Sequence, residues 1–194
     1  MNDLKQHNDV QKKTSETGKS FAGKYLTFRL AAEEYGLEIL KVREIIGLMD
    51  ITKVPRTPNF IRGVINLRGK VIPVLELRSK FKMDAVKDTE ETCIIVVDVA
   101  CETGSMLMGI LVDAVSEVLD IQENEIEEAP AFGVGVDTSF ILGIGKVKNS
   151  VKILLDIDKV LTGLDVSIID KLNHNKKDEE NSETAVTLAA SLVE

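Results

Sequence analysis

The sequence predicts a mainly β protein built as two small β-barrels packed together, with a few short helices. Two observations carry that reading. Short apolar segments with strand periodicity recur between turn residues about every ten positions, the pattern of small barrels or a sandwich. The pattern is also doubled. Phe60-Ile61-Arg62-Gly63-Val64-Ile65 returns 80 residues later as Phe140-Ile141-Leu142-Gly143-Ile144-Gly145. At the same offset, Val71-Ile72-Pro73-Val74-Leu75-Glu76-Leu77 becomes Val151-Lys152-Ile153-Leu154-Leu155-Asp156-Ile157. Residues 35–39 and 42–45 match 108–112 and 115–118 at an offset of 73, so about seven extra residues sit in the second copy, at 132–139. A repeat of two units indicates a duplicated module and not a solenoid.

The elements follow in order. Residues 1–23 are polar and aperiodic and are expected to form a disordered leader. Order begins near Tyr25-Leu26-Thr27-Phe28-Arg29-Leu30, and the alternation of Tyr35, Leu37 and Ile39 is that of a half-buried strand. Gly63-Val64-Ile65-Asn66-Leu67 and Lys70-Val71-Ile72-Pro73-Val74-Leu75 form a hairpin around Arg68-Gly69, where Gly69 supplies a positive φ. Pro73 lacks an amide donor and is expected to face the open side of an edge strand. The apolar run Cys93-Ile94-Ile95-Val96-Val97 pairs with residues 106–112, and residues 141–147 pair with 151–155. Short helices are expected at 77–81 and 157–161. Residues 24–82 and 83–163 thus form the two copies, with intertwining of the barrels left open, and 164–194 a polar linker with a flexible or short helical tail.

Composition excludes several classes of function. A net charge of −8 argues against nucleic acid, which rewards basic faces. The charge is uneven: residues 24–82 carry 12 Lys/Arg against 6 Asp/Glu, and residues 83–163 carry 5 against 16. No stretch reaches the roughly 20 apolar residues of a membrane span, and the start has no secretory pattern. Cys93 and Cys101, without a tight motif, read as reduced thiols of a cytosolic protein.

Reactive constellations are missing as well. No serine lies in a Gly-x-Ser-x-Gly context, and His7 and His174 lie in the polar tails. Gly133-Val134-Gly135 lacks the rest of a phosphate loop. Glu123, Glu125, Glu127 and Glu128 lack the spacing of a calcium loop and read as a solvated segment. The expectation is a protein without catalysis, metal or cofactor.

One constellation points to a specific class. Val42-Arg43-Glu44-Ile45, Pro55 and Pro58 lead into Phe60-Ile61-Arg62-Gly63-Val64-Ile65-Asn66-Leu67-Arg68-Gly69 and Val71-Ile72-Pro73-Val74-Leu75-Glu76-Leu77-Arg78. With Gly109-Ile110-Leu111-Val112-Asp113 and Val115-Ser116-Glu117-Val118-Leu119, the stretch from about 22 to 163 closely resembles the CheW family of bacterial chemotaxis coupling proteins. The resemblance implies two five-stranded barrels that exchange strands. It also implies a cytoplasmic adaptor, recruited to membrane receptor arrays through protein contacts. The partners it implies are the cytoplasmic tip of methyl-accepting chemotaxis proteins and the regulatory domain of the histidine kinase CheA. Receptor-contact positions match Val42, Glu44, Gly63 and Arg68, with Ile45 beside Val42 as apolar wall of a groove between the barrels. A kinase-contact aromatic matches Phe132. Glu44 has two intramolecular candidates for a partner, Arg43 and Arg68. Two alternatives stay open: a small-molecule-binding domain using the cleft between the barrels, and a coupler for a related pathway not governing flagella.

Overall fold

The computed structural model describes residues 20–101, 104–130, 138–147 and 150–161. In chain order these form β1 (Gly23–Leu30), β2 (Glu33–Glu38), β3 (Val42–Gly47), β4 (Ile61–Leu67), β5 (Lys70–Glu76) and α1 (Leu77–Lys80). The second copy follows as β6 (Cys93–Cys101), β7 (Gly104–Val112), β8 (Ala114–Ile121), β9 (Ile126–Glu127), β10 (Ile141–Val147), β11 (Ser150–Leu155) and α2 (Ile157–Val160). Residues 1–19 of the leader, the tail and the insertion at 132–139, apart from its last two residues, lie outside the described residues; residues 20–23 are described, and Gly23 already belongs to β1.

The strands form two sheets, in the orders β8-β1-β2-β11-β10-β9 and β3-β6-β7-β5-β4. Neither sheet is built from one repeat. The first two strands of each copy join the later strands of the other copy, and parallel pairs, β11 with β2 and β5 with β7, seal the exchange. Replacing β8, β1, β2, β11 and β10 by their repeat mates converts the first order into the second and leaves only β9 over. Barrel B, made of β3 to β7, is therefore continuous from 42 to 112, while barrel A takes the strands on either side of it. Repeats and barrels are different partitions of the chain. Two crossings connect them, a one-turn 3-10 segment at Ile39–Lys41 and the single residue Asp113.

Each sheet closes through a continuation of its first strand. Past β3, Thr52 exchanges two backbone hydrogen bonds of 2.9 Å with Val64 on β4. Past β8, the chain makes a 3-10 turn and returns as β9, which pairs with β10. The repeat mates Gly63 and Gly143 lie at these two closures. A Cβ on Gly63 would sit 2.3 Å from the Thr52 carbonyl oxygen, and one on Gly143 would sit 2.9 Å from that of Glu127. Barrel A counts a sixth strand only because its closing segment is longer.

The alternation along β6 explains its unbroken apolar run. Cys93, Ile95, Val97 and Val99 face the other barrel, whereas Ile94 and Val96 face the inside of barrel B. Both faces are buried from Cys93 to Val97, so no polar position is left there, and the first polar residue is Asp98. The space between the barrels holds the largest core cluster, 19 buried residues that include Phe28, Leu37, Leu75, Ile95, Met108 and Leu155. A buried aliphatic or aromatic side chain contributes about 1.5–3 kcal/mol. Parting the barrels would thus expose more than the 5–15 kcal/mol or so of a domain's net stability can offset.

Two expectations change. Pro73 lies on β5, an interior strand and not an edge. Its neighbour across β4 is Val64, whose polar groups turn to Thr52, so the missing N–H of Pro73 falls on the β7 side. There the parallel ladder starts only at Val74, and no ladder bond is lost. The charge contrast between sequence halves also shrinks once strands are exchanged. Residues 42–112 carry 10 Lys/Arg against 9 Asp/Glu, and residues 23–41 with 113–161 carry 7 against 13. Barrel A is acidic and barrel B is nearly neutral.

Candidate docking site

β3 is positioned as an edge strand. Its one ladder neighbour is β6, with Ile45 opposite Ile95 and Glu44 opposite Val96. A bulge between Val42 and Glu44 breaks the register there, which adds local twist. Alternation then divides the strand. Val42 is half-buried against the core between the barrels, Ile46 packs into barrel B, and Arg43 and Ile45 face outward.

Side-chain tethers hold this strand where the ladder does not. Arg43 donates through Nε to Asp98 Oδ2 at 3.1 Å, and its Nη2 reaches the same oxygen. Hydrogen bonds from Arg43 and Ser105 hold the Asp98 carboxyl below the usual carboxylate range. Arg43 is thereby committed, and Glu44 takes Arg68 as its partner. Arg68 Nη2 donates to Glu44 Oε2 at 2.8 Å, with the Arg68 side chain 80% exposed and Glu44 28%.

The β4–β5 turn that presents Arg68 is tighter than glycine alone accounts for. Both Arg68 (φ 54°) and Gly69 (φ 84°) are left-handed, the requirement of a type I′ hairpin turn. The Asn66 carboxamide oxygen accepts the Gly69 N–H at 2.9 Å and fixes the bend. Arg68 thus stands outward at a rigid tip.

Beside this ion pair lies apolar surface. Ile45 is 45% exposed, and Leu48 and Met49, on the loop after β3, are 39% and 38% exposed. Leu48 and Met49 were absent from the expected site, although two apolar residues directly after Gly47 in a loop are a readable signal. The structure brings Glu44 and Arg68 together and places Val42 and Ile45 on the same strand. Gly63 lies at the barrel closure, with its α-carbon pressed against the Thr52 backbone. Phe132 lies outside the described residues. On barrel A the repeat mates of Ile45 and Val71, namely Val118 and Val151, are exposed as those two are.

This fold and this site define a docking protein: two fused barrels that present an edge strand, an exposed ion pair and adjacent apolar side chains. Among the described residues no group of His, Cys, Asp and Glu is placed to hold a metal, and no helix is long and apolar enough to cross a membrane. Residues 24–165 match the family model described as the CheW-like domain. The chain belongs to that family, whose members are non-catalytic scaffolds of chemotaxis signalling. It is 39% identical over 155 residues to the chemotaxis protein CheW of Klebsiella aerogenes, covering 80% of this chain and 91% of that one. It is 33% identical over 135 residues to CheW of Rhizobium meliloti, covering 70% and 84%. The crystal structure of the scaffolding protein TtCheW from Thermoanaerobacter tengcongensis superposes with a TM-score of 0.65 at 38% identity, covering 73% of this chain and 93% of that one.

Proposed function

We propose that the protein is a non-catalytic adaptor that couples the cytoplasmic tips of methyl-accepting chemotaxis receptors to the histidine kinase CheA. The observation that carries the reading is the composition of the β3 edge. A receptor tip is a helical hairpin, and helices dock by laying apolar positions against an apolar face. Ile45, Leu48 and Met49 supply such a face, while the Glu44–Arg68 pair offers charged groups that set register more than affinity. The regulatory domain of CheA docks elsewhere on the surface, with Phe132 as its contact. The protein works in the cytoplasm and reaches the membrane through its receptors. A coupler for a related, non-flagellar pathway would use the same surfaces.

The small-molecule reading is not favoured, because buried apolar side chains fill the space between the barrels where the ligand would sit.

Reconstitution of receptor tip, CheA and this protein tests the proposal, read out as ATP-dependent autophosphorylation of the kinase. Stimulation that depends on this protein and is lost in Ile45→Glu supports it. No stimulation by the wild-type chain with its cognate partners sinks it.

A further inference from the structure

Both chain crossings are clasped by a carboxylate, and the two clasps are related by the duplication. At the second crossing, Asp113 Oδ1 accepts from Arg78 Nε of α1 at 2.7 Å. Asp113 Oδ2 accepts the backbone N–H of Ala31, at the tip of the β1–β2 hairpin, also at 2.7 Å. At the first crossing the charges are reversed. Asp158 of α2 accepts from Lys41 Nζ at 2.5 Å and from the backbone N–H of Ala100, near the tip of the β6–β7 hairpin, at 2.8 Å.

Arg78 and Asp158 are 80 residues apart, the offset of the repeat, and so occupy one helical position with opposite sign. In each clasp a single carboxylate ties together a crossing, the helix of one barrel and a hairpin of the other. The two clasps are unequally shielded. Arg78 and Asp113 are 11% and 22% exposed, whereas Lys41 and Asp158 are 32% and 30% exposed. Solvent weakens an ion pair, so the Lys41 clasp is the looser one.

That looser clasp adjoins the docking strand. Lys41 is the residue before β3, and β3 has a ladder on one side only. An edge strand with one neighbour takes its position from whatever holds its ends. The far end is held by the Thr52–Val64 bridge, and the near end by Asp158 beside the Arg43–Asp98 pair. We propose that Lys41 and Asp158 are positioning residues for the docking site: through this clasp α2 sets where β3 lies, and with it Val42, Glu44 and Ile45. The functional half of this inference rests on the receptor-docking reading, and the structural half does not.

The test uses the full chain, with amide hydrogen exchange in the free protein and binding of a receptor-tip hairpin as separate arms. In Asp158→Ala, the Ala100 amide and the amides of Val42–Gly47 should exchange about tenfold faster or more, while β5 and β7 keep their protection. Asp158→Asn keeps an acceptor for Ala100 and should restore that amide but not β3. Both variants should bind the tip about fivefold more weakly. Unchanged exchange in β3 overturns the clasp. Loosened exchange with wild-type affinity for the tip overturns its role in positioning the site. A wild-type chain that fails to bind the tip overturns the docking reading, and the exchange arm still decides the clasp. Lys41→Met, which keeps the aliphatic stem, is expected to loosen β3 in the same way and serves if Asp158→Ala does not fold.

Discussion

Arg68 Nη2 lies 2.8 Å from Glu44 Oε2, and the two residues come from opposite ends of the barrel B sheet order, β4–β5 and β3. They meet only because the barrel closes. The pair is therefore both a product of closure and the most exposed charged feature of the edge strand. Exposed ion pairs contribute about 0–1 kcal/mol, so the fold does not depend on it.

Arg68→Glu should consequently shift the thermal midpoint little while lowering affinity for a receptor tip about tenfold or more. Calorimetry and a binding titration on the same preparation decide the matter. A collapsed thermal transition would make the pair structural, and unchanged binding would remove it from the site.

Gly63→Ala should behave in the opposite way. Its Cβ would lie 2.3 Å from a backbone oxygen, at a φ of +146°, and a backbone atom cannot swing aside as a side chain does. Loss of the Thr52–Val64 bridge is expected to cost about 2–4 kcal/mol in urea denaturation. Gly47→Ala, with nothing within 4 Å of the new atom, is the matched control and should stay near wild type.

Phe28→Ala tests the core between the barrels. Phe28 is fully buried and stacks on Tyr35 at 5.7 Å between ring centroids. Truncation should cost about 3–5 kcal/mol. Because the cluster belongs to both barrels, amides of β1 and of β6 should lose protection by the same factor. Loss confined to barrel A would show that the barrels unfold independently.

Acid should weaken the protein in a defined window. Burial pushes the Asp113 carboxyl up, but bonds from Arg78 and the Ala31 N–H outweigh it and hold it below the usual 3.8. Asp98 is held down as well, by Arg43 and Ser105. A group with a depressed folded pKa binds fewer protons folded than unfolded, so its stabilisation is complete above about pH 5 and is lost as pH falls through the folded pKa. Asp113→Asn should lower stability at pH 7 and flatten the fall between about pH 5 and pH 3. An unchanged slope in urea midpoints across that range would contradict the assignment.

Much of this was legible along the chain. Strand periodicity and turn residues located the β4–β5, β6–β7 and β10–β11 hairpins and both one-turn helices, because each depends on neighbours within about ten residues. The motif around Val42, Glu44 and Arg68 located β3 and the hairpin tip that are proposed to dock. The partner of Glu44 was not legible, since Arg43 and Arg68 were equally available. Asp98, 55 residues beyond Arg43, settles it by claiming Arg43. Pro73 was misread because its lost N–H depends on where the β7 ladder begins.

The sequence by itself determined that the protein is a duplicated, strand-rich module, since repeat offset and alternation are properties of a string. Only the tertiary structure decided which strands share a barrel, why a side chain does not fit at Gly63 and how the charge is distributed. Strand exchange pairs segments far apart in the chain, and local periodicity is the same whichever copy a strand joins. The choice is made by burial between the barrels, by the two closures and by the clasps at Asp113 and Asp158, all of which exist only once the chain has crossed over twice.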